Sequence, residues 1–174
     1  LVKTELEKMI LDKYNLEVKF DGAVTYNVFP KPHYLIRDVI FQHNKKDLAK
    51  SKISKTYISS LNLFSLKNLE IKDLLFKKNE FIINYNNFNF FKKILNETKN
   101  ENNIKFKNIF LFYKNLDNDI IFLTKISTLK YFNNEDFNQE MNIRLKIFNI
   151  PIKFNLENDA VNKKIFIDLD SHKI

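Results

Sequence analysis

Cysteine is absent from the 174-residue chain. That excludes disulfides, thiolate metal sites and cysteine nucleophiles, and leaves the redox compartment open. Glycine occurs once, at Gly22, so no glycine-rich loop can cradle a phosphate or a dinucleotide. Proline occurs three times and tryptophan not at all. No run reaches the roughly 18 apolar residues needed to span a bilayer, and there is no signal peptide. The histidines His33, His43 and His172 lack ligand spacing. No serine sits in a nucleophile elbow. Asp168 and Asp170 alternate with Ile167 and Leu169, which reads as the polar face of a strand and not as an acid–base pair. No catalytic residue, metal ligand or cofactor is therefore expected.

What is present suits a folded domain: 44% hydrophobic and 29% charged residues rule out a disordered composition. The net charge of +8 and the pI near 9.4 point toward nucleic acid or anionic lipid. Against this, the chain is heavy in Lys, Asn, Ile, Phe and Tyr, the bias of an AT-rich coding sequence. Its basic residues fall mostly at every second strand position, so a solvated face accounts for them. No nucleic-acid partner is expected, and a basic nucleic-acid-binding domain is the weakest of three readings.

Residues 1–14 have helical spacing, with Leu6, Met9, Ile10 and Tyr14 on one face and Asn15 as the stop. The period then changes to two. Leu16, Val18 and Phe20, then Val24, Tyr26 and Val28, flank Asp21-Gly22, a tight-turn signal that predicts a β-hairpin. Further strands are expected over 34–42, 49–59, 69–76, 80–85, 104–113, 120–130, 141–148, 152–156 and 165–169. A short helical turn is expected over 60–66 and an internal helix over 86–97, with Phe88, Phe91 and Leu95 on one face.

One octet recurs. Tyr34 to Phe41, Leu69 to Phe76 and Ile104 to Leu111 share the order apolar, any, apolar, basic, Asp/Asn, apolar, apolar, apolar, at a spacing of 35 residues each time. Strict alternation would turn Asp38, Asp73 and Asn108 inward. Apolar character instead resumes one residue later, at Val39, Leu74 and Ile109. That one-residue change of parity is what a β-bulge produces. The inward faces so defined are Ile36, Val39, Phe41, Ile71, Leu74, Phe76, Phe106, Ile109 and Leu111. They line either a groove or a closed core. Ile40, Leu75 and Phe110 face the other way and are apolar too.

The order of features resembles a known family. A short helix leads to Leu16-Glu17-Val18-Lys19-Phe20-Asp21-Gly22, then Phe29-Pro30-Lys31-Pro32, then a strand with the Asp38-Val39 step, and later Leu61-Asn62-Leu63-Phe64 before Leu69. This is similar to the periplasmic N-terminal region of AsmA-family proteins, over roughly the first 115 residues. The resemblance implies a mainly β (α+β) fold. It would be an elongated, curled antiparallel sheet forming a gutter, with an N-terminal helix and one internal helix. Residues 1–174 would form a single module (1–14 the N-terminal helix, 15–174 the repetitive β region), a fragment of a longer protein whose membrane anchor is expected upstream of Leu1. It also implies a periplasmic, inner-membrane-anchored protein of Gram-negative cell-envelope biogenesis. Such a protein would carry phospholipid between inner and outer membranes, with the nine inward residues lining the groove. A sixteen-carbon chain requires about 12 kcal/mol of shielding from water, at about 0.8 kcal/mol per CH₂. An interaction scaffold for outer-membrane assembly, without lipid cargo, is the second reading.

Overall fold

The helix α1 spans Val2–Tyr14 and buries Leu6, Ile10 and Tyr14. It stops where expected. Asn15 adopts φ 52°, and its amide donates to the Leu11 carbonyl at 2.9 Å, a left-handed C-terminal cap. This is a computed structural model, and it describes residues 2–59, 69–89, 102–133, 139–147, 150–158 and 162–169. Among them no helix is long and apolar enough to cross a membrane.

The strands are β1 (Glu17–Phe20), β2 (Val24–Asn27), β3 (His33–His43), β4 (Lys46–Ile58), β5 (Ile71–Asn84), β6 (Asn102–Lys114), β7 (Ile120–Asn133), β8 (Gln139–Ile147), β9 (Ile150–Asn158) and β10 (Lys163–Leu169). They form one open sheet in the order β1-β3-β4-β5-β6-β7-β8-β9-β10, with β2 also on β3. The curled, groove-shaped, mainly β architecture with an N-terminal helix agrees with expectation. The sheet is not wholly antiparallel, however: β5 and β6 run parallel, Leu74 opposite Ile104 through Asn84 opposite Lys114. A parallel pair needs a long crossover, and residues 85–101 supply it. The expected internal helix falls in that crossover. Phe88 and Asn89 have helical backbone, and 90–97 lie outside the described residues, as does the helical turn expected over 60–66.

Asp21-Gly22 does not make a hairpin. β1 and β2 both pair antiparallel with β3, β1 along Val39–Gln42 and β2 along His33–Ile36, so they are two lengths of one edge strand. The amides of Asp21 and Gly22 donate to the Asp38 and Arg37 carbonyls at 3.0 and 3.1 Å. Glycine is needed here for close approach, not for a turn. A Cβ on Gly22 would lie 2.4 Å from the Arg37 carbonyl oxygen. The tight hairpin lies instead between β3 and β4, where Asn44 and Lys45 both take positive φ, as a two-residue turn of matching twist requires.

The bulge is the organising feature of the sheet. Asp38 and Lys52 face each other outside the ladder between Arg37–Ile53 and Val39–Ser51. Lys52 and Lys78 do the same, then Lys78 and Asn108, then Asn108 and Ser127. At β8 the line ends, because Ser127 has no residue opposite it between Leu145 and Arg144. A crease thus crosses five neighbouring strands at one level. Asp38, Lys78 and Asn108 take positive φ there. Every strand changes parity together, so inner residues still meet inner residues.

The crease interrupts ladder hydrogen bonds, and buried polar side chains replace them. The Asn79 amide donates to the Phe76 and Lys107 carbonyls at 3.3 and 3.0 Å. The Ser51 hydroxyl contacts the Ile53 and Lys77 carbonyls at 3.1 and 3.2 Å.

The 35-residue recurrence needs correction at its middle copy. Asp73 pairs in the ladder with Tyr57, and the extra residue is Lys72, where the register slips between Tyr57 and Ile58. The parity change itself holds, since Ile71 and Leu74 are both buried. In register with Asn108 of β6 stands Lys78, not Asp73. The expected gap between strands 69–76 and 80–85 is the crease passing through one continuous strand, β5.

Candidate functional site

Pairing across the sheet assembles the inner face into rows. One runs Ile36, Ser54, Phe76, Phe106, Leu129, Ile143, Phe154, Ile167. The row beyond the crease runs Val39, Ser51, Asn79, Ile109, Ile126, Leu145, Ile152, Leu169. From Ala49 to Thr56 strand β4 contributes only small inner side chains, Ala49, Ser51, Ser54 and Thr56, before Ile58 joins the core at its end. Rings from β3 and β5 therefore meet above it. Phe41 contacts Phe76 edge-on at 4.9 Å between centroids, and Phe76 stacks on Phe106 at 5.1 Å.

The inner face divides into a closed and an open part. Ile36, Val39, Ile71, Leu74 and Phe76 are at most 1% exposed and share a core with Leu6, Ile10 and Tyr14 of α1. Three side chains of α1 fasten it to the sheet, Lys3 by donating to the Phe20 carbonyl at 3.4 Å. The Lys13 ammonium donates to the Ile71 carbonyl at 2.6 Å, and the Phe20 amide donates to the Glu7 carboxylate at 2.6 Å. Burial pushes the Tyr14 hydroxyl well above the ordinary tyrosine range, and the charge of Asp73 adds to this.

Phe41, Phe106, Ile109 and Leu111 come together next to this core, where Phe41 and Phe106 pack on Phe76, in the wall of a cavity of about 240 Å³. Phe81, Ile83, Ile104, Ile126, Leu129, Tyr131, Met141 and Ile143 complete the apolar lining, with Leu16, Glu17 and Gln42 also at its wall. Of the nine inward residues read from the sequence, the structure thus places four at this cavity and five in the buried core that α1 shares. The volume lies below the roughly 300–1,000 Å³ of a pocket for a whole small molecule. It suits part of an alkyl chain.

Beyond the cavity the inner face continues with no described element over it. Met141, Ile143 and Leu145 of β8 pair with Leu156, Phe154 and Ile152 of β9, and these with Ile165, Ile167 and Leu169 of β10. The array is apolar at all nine positions. On β10, Ile165, Ile167 and Leu169 are 60, 59 and 59% exposed. These residues were not among the inward set read from the octets. Their signal is the plain alternation of Met141, Ile143, Leu145 with Asn142, Arg144, Lys146, which carries no bulge and so did not match the recurring pattern.

The outer face is lysine-rich and creased. The furrow above the crease is lined by Asp21, Asp38, Lys52, Lys78 and Glu80, among others, so its charges are mixed, and Lys52 pairs with Asp38 at 3.4 Å. Ile40 and Leu75 are half-buried there, and Phe110 is 42% exposed. Lys105 is held below the usual lysine range, first by partial burial and then by the charges of Lys107, Lys130 and Arg144.

Comparison with known protein families finds none that matches the chain, and comparison with curated proteins finds no match either.

Proposed function

We propose that this chain shields acyl chains of phospholipid in its inner groove, as a non-catalytic component of lipid transport between the inner and outer membranes of a bacterial cell envelope. The observation that carries the reading is the nine-residue apolar array of β8, β9 and β10, which no described element covers and which joins the apolar cavity through Ile143 and Met141. A large contiguous apolar surface on a folded domain marks a binding surface. The outer positions of the same strands are polar or charged at Asn142, Arg144, Lys146, Lys153, Asn155 and Asp168, with Phe166 of β10 an apolar exception, so the apolar array belongs mainly to the inner face. The likeness of the first 115 or so residues to the AsmA family supports the same reading.

The test is uptake of a phospholipid bearing a fluorescent acyl chain. The wild-type protein takes it up with an emission increase. Ile143→Asp and Ile167→Asp lie on the open part and leave the core beneath α1 intact. Each lowers affinity by roughly tenfold or more, because a buried carboxylate must be desolvated beside the chain. A wild-type protein that takes up no lipid, or variants that bind equally well, sink the proposal. A lipid-free protein that assembles with envelope proteins favours the scaffold reading.

A further inference from the structure

Strand pairing sets like charges directly opposite one another on the outer face. Lys77 faces Lys107 across β5 and β6, and Lys105 faces Lys130 across β6 and β7. Lys125 faces Lys146 across β7 and β8, and Arg144 faces Lys153 across β8 and β9. Like charges opposed in this way destabilise a sheet. A biased composition accounts for many lysines, but a merely solvated face is better served by interspersed signs. Among the described residues no ion pair neutralises Lys77, Lys105, Lys107, Lys130 or Arg144. Lys105 is held below the usual lysine range first by partial burial and only then by its neighbours Lys107, Lys130 and Arg144.

Beside these rows the same face carries apolar side chains in the open. Ile82, Phe112 and Leu123 are opposite one another across β5, β6 and β7, and Phe110 lies next to them. Ile82, Phe110 and Leu123 are 40, 42 and 54% exposed. Lys125 holds its ammonium 5.8 Å from the Phe110 ring centre.

We propose that this outer face docks on an anionic phospholipid bilayer, its lysine rows against the headgroups and its apolar patch in the interfacial layer. Charge complementarity supplies long-range attraction, and the exposed Phe, Ile and Leu supply the contact that a polyanion without an apolar phase would not use. A nucleic acid satisfies the lysines but not the patch. The inference does not rest on the groove: it concerns the opposite side of the sheet and holds whether or not the inner face carries lipid.

Co-sedimentation with vesicles tests it, using the Ile143→Asp chain so that uptake into the groove does not contribute. The protein sediments with vesicles of phosphatidylcholine and phosphatidylglycerol, not with phosphatidylcholine alone, and salt releases it. The pair Lys105→Gln and Lys107→Gln lowers partitioning about thirtyfold while the melting temperature does not fall. Phe110→Ser with Leu123→Ser also weakens vesicle binding, whereas binding to a DNA oligonucleotide would be indifferent to that change. Equal binding to neutral and anionic vesicles overturns the proposal. So does undiminished binding by the Lys105/Lys107 variant, or tighter binding to the oligonucleotide than to anionic vesicles with no effect of the Phe110/Leu123 change.

Discussion

Asn79 carries more of this fold than its residue type suggests. It is wholly buried on an apolar face, where an asparagine in isolation would be costly. Its amide donates to the Phe76 and Lys107 carbonyls beside the crease, and its Oδ1 is buried without a partner among the described residues. Asn79→Ala is expected to cost about 1–3 kcal/mol in urea unfolding, because two hydrogen bonds from a buried donor are lost. Gly22 has a different basis. Its Cβ position is occupied by the Arg37 backbone, so Gly22→Ala forces the edge strand away from β3 at a cost of about 1–3 kcal/mol. Tyr14 predicts a pH effect. Its hydroxyl is buried without a hydrogen-bond partner among the described residues, and its folded-state value is raised by burial and by Asp73. The folded protein keeps this proton where the unfolded chain releases it, near pH 10. The stability linked to Tyr14 is therefore complete below about pH 10 and declines as pH rises beyond it. Tyr14→Phe removes that decline and is no less stable at neutral pH, which unfolding curves at neutral and alkaline pH check.

At the scale of elements, the crease explains both what the sequence showed and what it concealed. Parity changes at Ile36/Val39, Ile71/Leu74 and Phe106/Ile109 were legible, because burial forces inward residues to be apolar on either side of a bulge. The change at Phe76/Asn79 was not, because its inner residue after the step is polar and looks like a strand end. Asp21-Gly22 was misread for a related reason. The same dipeptide suits a tight turn and a close approach between strands, and only pairing with β3 separates the two. The parallel β5–β6 pair was also invisible, since the direction of a strand leaves no mark on its alternation. The crease makes its own prediction. Asn108 has φ 55°, so Asn108→Gly is tolerated, whereas Asn108→Val costs about 1–2 kcal/mol from the left-handed backbone alone. Thermal unfolding of the two variants separates these outcomes.

At the scale of the molecule, the sheet is sealed at one end and open at the other. Helix α1 covers the inner face of its early strands, and the aromatic rings meeting over the small residues of β4 close the space next to it. From β8 onward no described element lies over the inner face, and the exposed Ile165, Ile167 and Leu169 of β10 mark the result. Five of the nine inward residues read from the octets build the sealed end. The open end is equally legible in the alternation of β8 and β9, continued on β10 except at Phe166, but it carries no bulge and so lies outside the recurring octet. The account's central claim is that this open face holds acyl chains. Native mass spectrometry of the purified chain tests it most directly. The account predicts phospholipid bound to the wild-type protein and lost from Ile143→Asp with the fold retained. A wild-type spectrum free of lipid, under conditions that preserve other lipid complexes, would contradict it.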